Sequence, residues 1–313
     1  MSEHDRWERD ALREIALEGI KERRRTRRWG IFFKLAFLLY LVALLGISTG
    51  GFDFSRDRPV SDHLARVDVT GMISANDRAS ADTVSEGLRA AFEAPGAQGV
   101  VLYINSPGGS PVQANRIFVE IERLREKHPD TPVYAVIDDL GASGAYYIAA
   151  AADEIFVNPS SQVGSIGVIA GGFGFTEAID KLGIERRVYA AGDNKAFLDP
   201  FSPEDETHIA HLDEMLEEVH QQFIEAVRSG RGDRLVEEEE LFSGLIWSGE
   251  RSVELGLADG FGDVAYVARE VVGVDDVRDY TRQPDLLRAL ADRLGTRIGQ
   301  AMAEVLGGDR ELR

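Results

Sequence analysis

The chain has 313 residues, 44% of them hydrophobic, which is enough to bury one substantial core and too apolar for general disorder. A net charge of −19 argues against nucleic acid as a partner, and the absence of cysteine excludes disulfides, thiolate metal sites and a cysteine nucleophile. The charge is uneven: residues 1–47 carry ten Lys and Arg against seven Asp and Glu, which leaves −22 for the remainder.

Residues 1–28 form a charged segment that closes on the cationic run Lys21-Glu22-Arg23-Arg24-Arg25-Thr26-Arg27-Arg28. From 29 to 47 the one charge is Lys34, placed near the start where its stem can reach an interface. A helix over this stretch rises about 1.5 Å per residue and reaches roughly 28 Å, close to the hydrocarbon thickness of a bilayer. A transmembrane helix over 29–47 is therefore expected, with the preceding cations keeping the N-terminus in the cytoplasm and the rest of the chain in the periplasm or outside the cell. A cleaved secretory signal is the competing reading, because Gly46-Ile47-Ser48 offers a small-residue cleavage site.

A polar linker (48–62) leads into a region (63–280) where short apolar runs alternate with helical patterns, the signature of an α/β domain with a parallel-rich sheet. Strands are expected over 65–69, 100–105, 133–138, 154–157 and 185–190, and helices over 81–93, 111–127, 144–152, 176–182 and 203–228. The continuous run Val100-Val101-Leu102-Tyr103-Ile104 suits a strand covered on both faces. The acidic run 237–240 reads as a solvated helix face. The final segment (281–313) places Leu286, Leu287, Leu290, Leu294, Ile298, Met302 and Val305 at helical spacing, an amphipathic helix that packs on its own domain or on a partner.

Three glycine-rich segments stand where strands hand over to helices or turns. In Ile104-Asn105-Ser106-Pro107-Gly108-Gly109-Ser110, Gly108 and Gly109 free the backbone to aim amides at an oxyanion, although an ordinary tight turn needs the same residues. In Gly141-Ala142-Ser143-Gly144-Ala145-Tyr146-Tyr147, Ser143 lies at the start of an apolar helix, as a nucleophile or as a helix cap. It is not a lipase elbow, since Ala145 stands where that motif has glycine. The third segment, Gly164-Ser165-Ile166-Gly167-Val168, carries a second serine. No Walker lysine accompanies these loops, and no cofactor is implied.

A nucleophile needs a base, and histidine offers none: the six histidines lie away from these loops, and His208 and His211 lack the HExxH pattern of a zinc site. Beyond residue 47 only Lys127, Lys181 and Lys195 are lysines, although arginine is plentiful. Retention of lysine in Gly192-Asp193-Asn194-Lys195 points to an amine that must lose a proton, which arginine cannot do. Such a base starts near pKa 10.4, so working near neutral pH requires roughly 4 kcal/mol of selective penalty on its ammonium form, the kind of penalty that burial supplies.

Taken in order, Asn105-Ser106-Pro107-Gly108-Gly109, Ser143-Gly144-Ala145-Tyr146-Tyr147, Gly164-Ser165-Ile166-Gly167-Val168 and Lys195 resemble the signal peptide peptidase A family of membrane-anchored serine proteases. The resemblance runs over about residues 65–272 and extends to Trp247-Ser248-Gly249-Glu250-Arg251 and Gly256-Leu257-Ala258-Asp259-Gly260. It implies a fold shared with Clp proteases and crotonases, Ser143 as nucleophile, Lys195 as general base, Ser165 orienting the lysine, and an oxyanion hole around Gly108, Gly109 and Gly144. It also implies apolar peptides such as cleaved signal peptides as substrates, and an octameric homo-oligomeric ring with Ser and Lys supplied by neighbouring subunits. Ala145 replaces the second glycine that such proteins usually carry after Ser-Gly, a departure that bears on local backbone geometry. Two other readings fit parts of the pattern: a crotonase-like acyl-CoA enzyme, and a membrane scaffold whose glycine turns are structural.

Overall fold

The computed structural model describes residues 27–43, 61–236, 238 and 240–282. Residues 27–43 form helix α1, whose apolar side chains, Phe33 and Leu39 among them, are exposed. Among the described residues no helix is long and apolar enough to cross a membrane. The expected span is therefore not shown: 29–43 is helical, and its last turn, 44–47, lies outside the described residues. The linker up to residue 60 lies outside them as well, as does the expected C-terminal amphipathic helix from residue 283 onward. Helix α1 belongs to a separate unit from residues 61–282.

Strand β1 (His63–Thr70) pairs in parallel with β2 (Ala97–Ser106), and β2 with β3 (Val133–Ala142). Val100, Val101, Leu102 and Ile104 of β2 are all buried, as expected of a strand covered on both faces. One face is covered by α2 (Ala81–Phe92) and α3 (Pro111–Lys127), whose Leu88, Ile117, Ile121 and Leu124 enter the main core. Each helix starts at a serine cap: Ser80 accepts from the Thr83 amide, and Ser110 from that of Gln113 with Pro111 in the first turn. On the other face Val267 and Ala268 pack on Leu64, Val101 and Tyr134 as a smaller core. These two come from a π-helical turn, Val267–Val272, that continues α8 (Val264–Tyr266).

Strand β3 forks. Its first half pairs with β4 (Glu154–Val157), and its second half, after a register shift, with β5 (Gln162–Gly164). At the fork the buried Ser161 hydroxyl lies within hydrogen-bond reach of the carbonyls of Ile137 and Asp138 and accepts from the Asn158 amide. The sheet closes with β6 (Ile246–Ser248), antiparallel to β5, with β7 (Gly260–Phe261) beside β4, and with β8 (Val277–Asp279) beside β1. Every pairing except β5 with β6 is parallel, so the α/β, parallel-rich expectation holds.

Four short helices and one long one complete the picture: α4 (Gly144–Ala149), α5 (Thr176–Lys181), α6 (Glu206–Arg231) and α7 (Gly249–Glu254), followed by α8. The long helix, α6, is capped by Asp205, which accepts from the amides of Thr207 and His208. The expected strand over 185–190 does not form. That stretch is exposed, and its backbone has no ladder partner among the described residues, because no strand described in the structure runs beside it.

Candidate active site

Strand β3 ends at Ala142 and α4 starts at Gly144, so Ser143 occupies the joint. Its backbone adopts φ 54° and ψ −127°, a region that costs a non-glycine residue about 1–3 kcal/mol and persists where the surroundings impose it. They do so here through two bonds: the Ser143 amide donates to Gly164 O at 2.8 Å, and Ser143 O accepts from the Tyr147 amide at 3.0 Å. The side chain makes no capping bond, so the hydroxyl is not consumed by the helix end. A helix-cap role thereby loses its support.

The β2–α3 turn packs against this joint. A Cβ on Gly108 would sit 2.7 Å from Ala142 O, Gly144 N and Ser143 Cβ, and one on Gly109 would sit 2.2 Å from Ile73 O. Both positions also have positive φ, so glycine is required there for shape as well as for conformation. The amide of Gly108 donates to Ser106 Oγ at 3.1 Å and is therefore not available to an oxyanion. This corrects the expectation for Gly108, whose contribution is close approach rather than a donated hydrogen bond. The amides of Gly109 and Gly144 have no hydrogen-bond partner among the described residues, and Gly109 N lies 3.4 Å from where a Gly144 Cβ would be. Two free donors thus flank the serine joint, the arrangement that stabilises developing negative charge.

Ser143 opens into a cleft of about 310 Å³ walled by Val112, Tyr147, Val168, Ile169, Val219 and Phe223. Tyr147 is fixed at 2.9 Å by Asn115 Nδ2, which donates to its hydroxyl, and by the Phe223 ring at 4.9 Å. Burial pushes the Tyr147 phenol above its usual range, so it stays neutral. Ser165 follows Gly164 and also has positive φ, 51°. Its amide donates to Leu245 O at 2.7 Å, which places it one residue from the Ser143 bond.

Beneath α4, Tyr146 donates to Leu257 O at 2.8 Å. Buried Arg231 makes two bonds to Asp259, at 2.7 and 2.9 Å, and a third to Gly256 O. Burial pushes the Asp259 carboxyl up, but Arg231, the Ile155 amide and Arg234 outweigh it and hold the group below the usual carboxylate range.

Lys195 is not brought to Ser143 within the chain. It is exposed in the turn closed by its own amide on Gly192 O at 3.1 Å, and it does not line the cleft. Lys127 pairs with Glu93 and Lys181 with Glu177, whereas the Lys195 ammonium has no ion-pair partner among the described residues. Its turn is docked on α6, where His208 Nε2 donates to Asn194 Oδ1 at 3.2 Å and the Phe197 ring meets those of His208 and His211 at 5.2 and 5.8 Å. Farther along the same helix, His220 touches Ile166 O beside the cleft. Twelve residues of α6 separate His208 from His220, or about 18 Å at 1.5 Å per residue, which is more than a lysine side chain spans.

The segment from Ile169 to Phe201, which carries this turn, exposes many apolar side chains. Ile169 is 91% and Tyr189 93% exposed, and α5 buries none of its residues. The sequence pattern by itself assigns no role to Ser106, Asn115 or His220. Ser106 lay inside a motif already noted, but nothing in the spacing of Asn115 or His220 separates them from ordinary helix residues.

The profile of Peptidase family S49 matches residues 125–278, which include Ser143, Ser165 and Lys195. The chain is 31% identical over 217 residues to a candidate protease of Methanocaldococcus jannaschii, covering 67% of this chain and 69% of that protein. It is 33% identical over 165 residues to a candidate signal peptide peptidase of Enterococcus faecium, 53% of this chain and 47% of that one. A Brucella melitensis protein named as a Na+/H+ antiporter is 42% identical over 237 residues, 76% of this chain. The matched part is only 32% of that protein, so the chain spans about a third of its length, and the antiporter name describes a much longer molecule.

Proposed function

Because the chain belongs to peptidase family S49, we propose that it is a serine endopeptidase that cleaves apolar, unfolded peptide segments, remnant signal peptides among them. The observation that carries this reading is Ser143 itself, held at φ 54° with an uncapped hydroxyl beside two unpartnered amides at the mouth of an apolar cleft. A scaffold has no use for that strain, and a crotonase-like acyl-CoA enzyme needs the amides but not the serine.

In the proposed reaction the Ser143 hydroxyl gives its proton to the neutral Lys195 amine as Oγ attacks the peptide carbonyl. The Gly109 and Gly144 amides donate to the resulting oxyanion. The lysine ammonium then protonates the departing amine as the C–N bond breaks, which leaves an acyl-serine. Water attacks that ester with the lysine again taking a proton, and Ser143 is regenerated. Ser165 is assigned to orient the amine.

Since Lys195 lies far along α6 from the cleft, the pair is assigned to form between subunits of a homo-oligomeric ring, with an octamer as the expected size. Three features support shared sites: the apolar side chains exposed between Ile169 and Phe201, the unpaired backbone over 185–190, and an exposed lysine that must be dehydrated to act as a base. Membrane anchoring through the apolar 29–47 stretch, with the N-terminus cytoplasmic and the enzyme domain outside, belongs to the same reading. Its support is the exposed apolar surface of α1 behind a cationic run.

The test is covalent labelling of the full chain with a fluorophosphonate, followed by mapping of the modified residue. Label on Ser143, lost in both Ser143→Ala and Lys195→Arg while the fold is retained, is the expected result. Absence of label from the assembled wild-type protein, or full peptide cleavage by Lys195→Arg, would overturn the mechanism.

A further inference from the structure

The cleft wall that follows Ser165 is tied to α6 by one side chain. His220 Nε2 lies 3.1 Å from Ile166 O, and because a carbonyl can only accept, this nitrogen carries the proton. On one side of that bond Ser165 N is held by Leu245 O, and on the other Gly167 packs so closely on Gly244 that an added Cβ would lie 3.0 Å from its Cα. Beyond it Val168 and Ile169 line the cleft, and the backbone of 167–169 makes no hydrogen bond among the described residues. The facing wall is α6 itself, through Val219 and Phe223, immediate neighbours of His220 on that helix. The helix buries Phe223, Ile224, Ala226 and Val227, so His220 stands where α6 leaves the core.

We propose that His220 is a positioning residue for substrate: by holding Ile166 O it fixes the width of the cleft and presents the unpaired backbone of 167–169 as an edge along which an apolar peptide lies. This rests on the protease reading and adds a residue whose effect is on substrate binding rather than on the nucleophile. Ser143 is held separately, through Gly164, so its reactivity survives loss of the histidine.

The experiment compares wild type, His220→Leu and His220→Gln as full-length proteins in detergent, using three readouts: steady-state cleavage of an apolar peptide, the rate of fluorophosphonate labelling at Ser143, and amide hydrogen exchange over 165–170. Removing one hydrogen bond of this kind is expected to raise KM about tenfold in His220→Leu. The labelling rate stays within about twofold of wild type, and exchange at 167–169 accelerates. Glutamine, whose amide can donate to the same carbonyl, should restore most of the KM and the protection. A His220→Leu protein with wild-type KM and unchanged exchange would overturn the proposal, as would equal loss of labelling and cleavage in both variants. If the wild type neither labels nor cleaves, the protease reading falls first. The exchange comparison then still decides whether His220 holds this segment, and unchanged exchange rejects it.

Discussion

The Ser143 amide donates to Gly164 O at 2.8 Å, and that bond couples the end of β3 to the end of β5 at the point where the chain enters an unusual conformation. Gly164 has φ 103°, and a Cβ there would meet Trp247 Cδ1 at 2.9 Å and Leu245 O at 3.1 Å. The carbonyl that holds the nucleophile is thus supplied by a residue that tolerates no side chain.

Gly164→Ala should therefore damage the site more than the fold. The expected cost is about 1–3 kcal/mol in stability, from positive φ and the collision with Trp247. Fluorophosphonate labelling at Ser143 should fall further than that destabilisation accounts for. Thermal unfolding and labelling rate measured on one preparation check this, and a destabilised variant with wild-type labelling would contradict it.

Ser106→Ala isolates the β2–α3 turn. Ser106 is fully buried, and its hydroxyl accepts from Gly108 N, so alanine strands a buried donor at a cost of about 1–3 kcal/mol. Because the turn carries the Gly109 amide, kcat should drop by roughly 100-fold, the scale of losing one oxyanion donor, with KM little changed. Steady-state kinetics on a soluble peptide separate the two constants.

The Arg231–Asp259 pair predicts a pH-dependent loss of stability. The Asp259 carboxyl is held below its ordinary value of 3.8, so its stabilising contribution is complete above that pH and disappears as pH falls through the lower folded-state value. Asp259→Asn leaves the Arg231 charge buried and should cost about 3–5 kcal/mol near pH 7. As pH falls below 3.8 the unfolded chain takes up the proton before the folded carboxylate does, so the stability gap should narrow, and it closes once the folded Asp259 carboxyl is protonated as well. Urea unfolding of both proteins at pH 7 and at about pH 3 checks the sign, and a gap that widened in acid would contradict it.

The exposed stretch over 185–190 should be an assembly surface. Replacing Val188 and Tyr189 by glutamate puts charge where apolar contact is expected and should reduce the assembly to monomers in sedimentation, with peptide cleavage lost and the monomer fold intact. Unchanged sedimentation would remove this surface from the account.

Much of the fold was legible where the hydrophobic pattern is long. The expected strand over 154–157 coincides with β4, and the expected helix over 111–127 with α3, because Ser110 and Pro111 mark its start. Strand β3 runs four residues past its expected end, since Asp138 and Asp139 interrupt the apolar pattern at the fork while pairing resumes at Leu140. Strands β5 to β8 are two or three residues long, too short to carry a period, and were missed. The stretch over 185–190 has a strand's composition but no strand beside it among the described residues, because strand formation depends on a neighbour that composition does not report. At the site, the glycine-rich motifs located Ser143 and its turns. The use of the Gly108 amide by Ser106, and the distance of Lys195 from the cleft, depend on three-dimensional packing that no spacing encodes.

The most direct measurement mixes two inactive proteins, Ser143→Ala and Lys195→Ala, lets their subunits exchange, and follows peptide cleavage. If the serine of one subunit works with the lysine of its neighbour, random mixing at equal amounts pairs an intact serine with an intact lysine in about one site in four, and activity should return to about a quarter of wild type. No recovery at any ratio, with mixed assemblies verified by mass, would contradict the shared Ser143–Lys195 site.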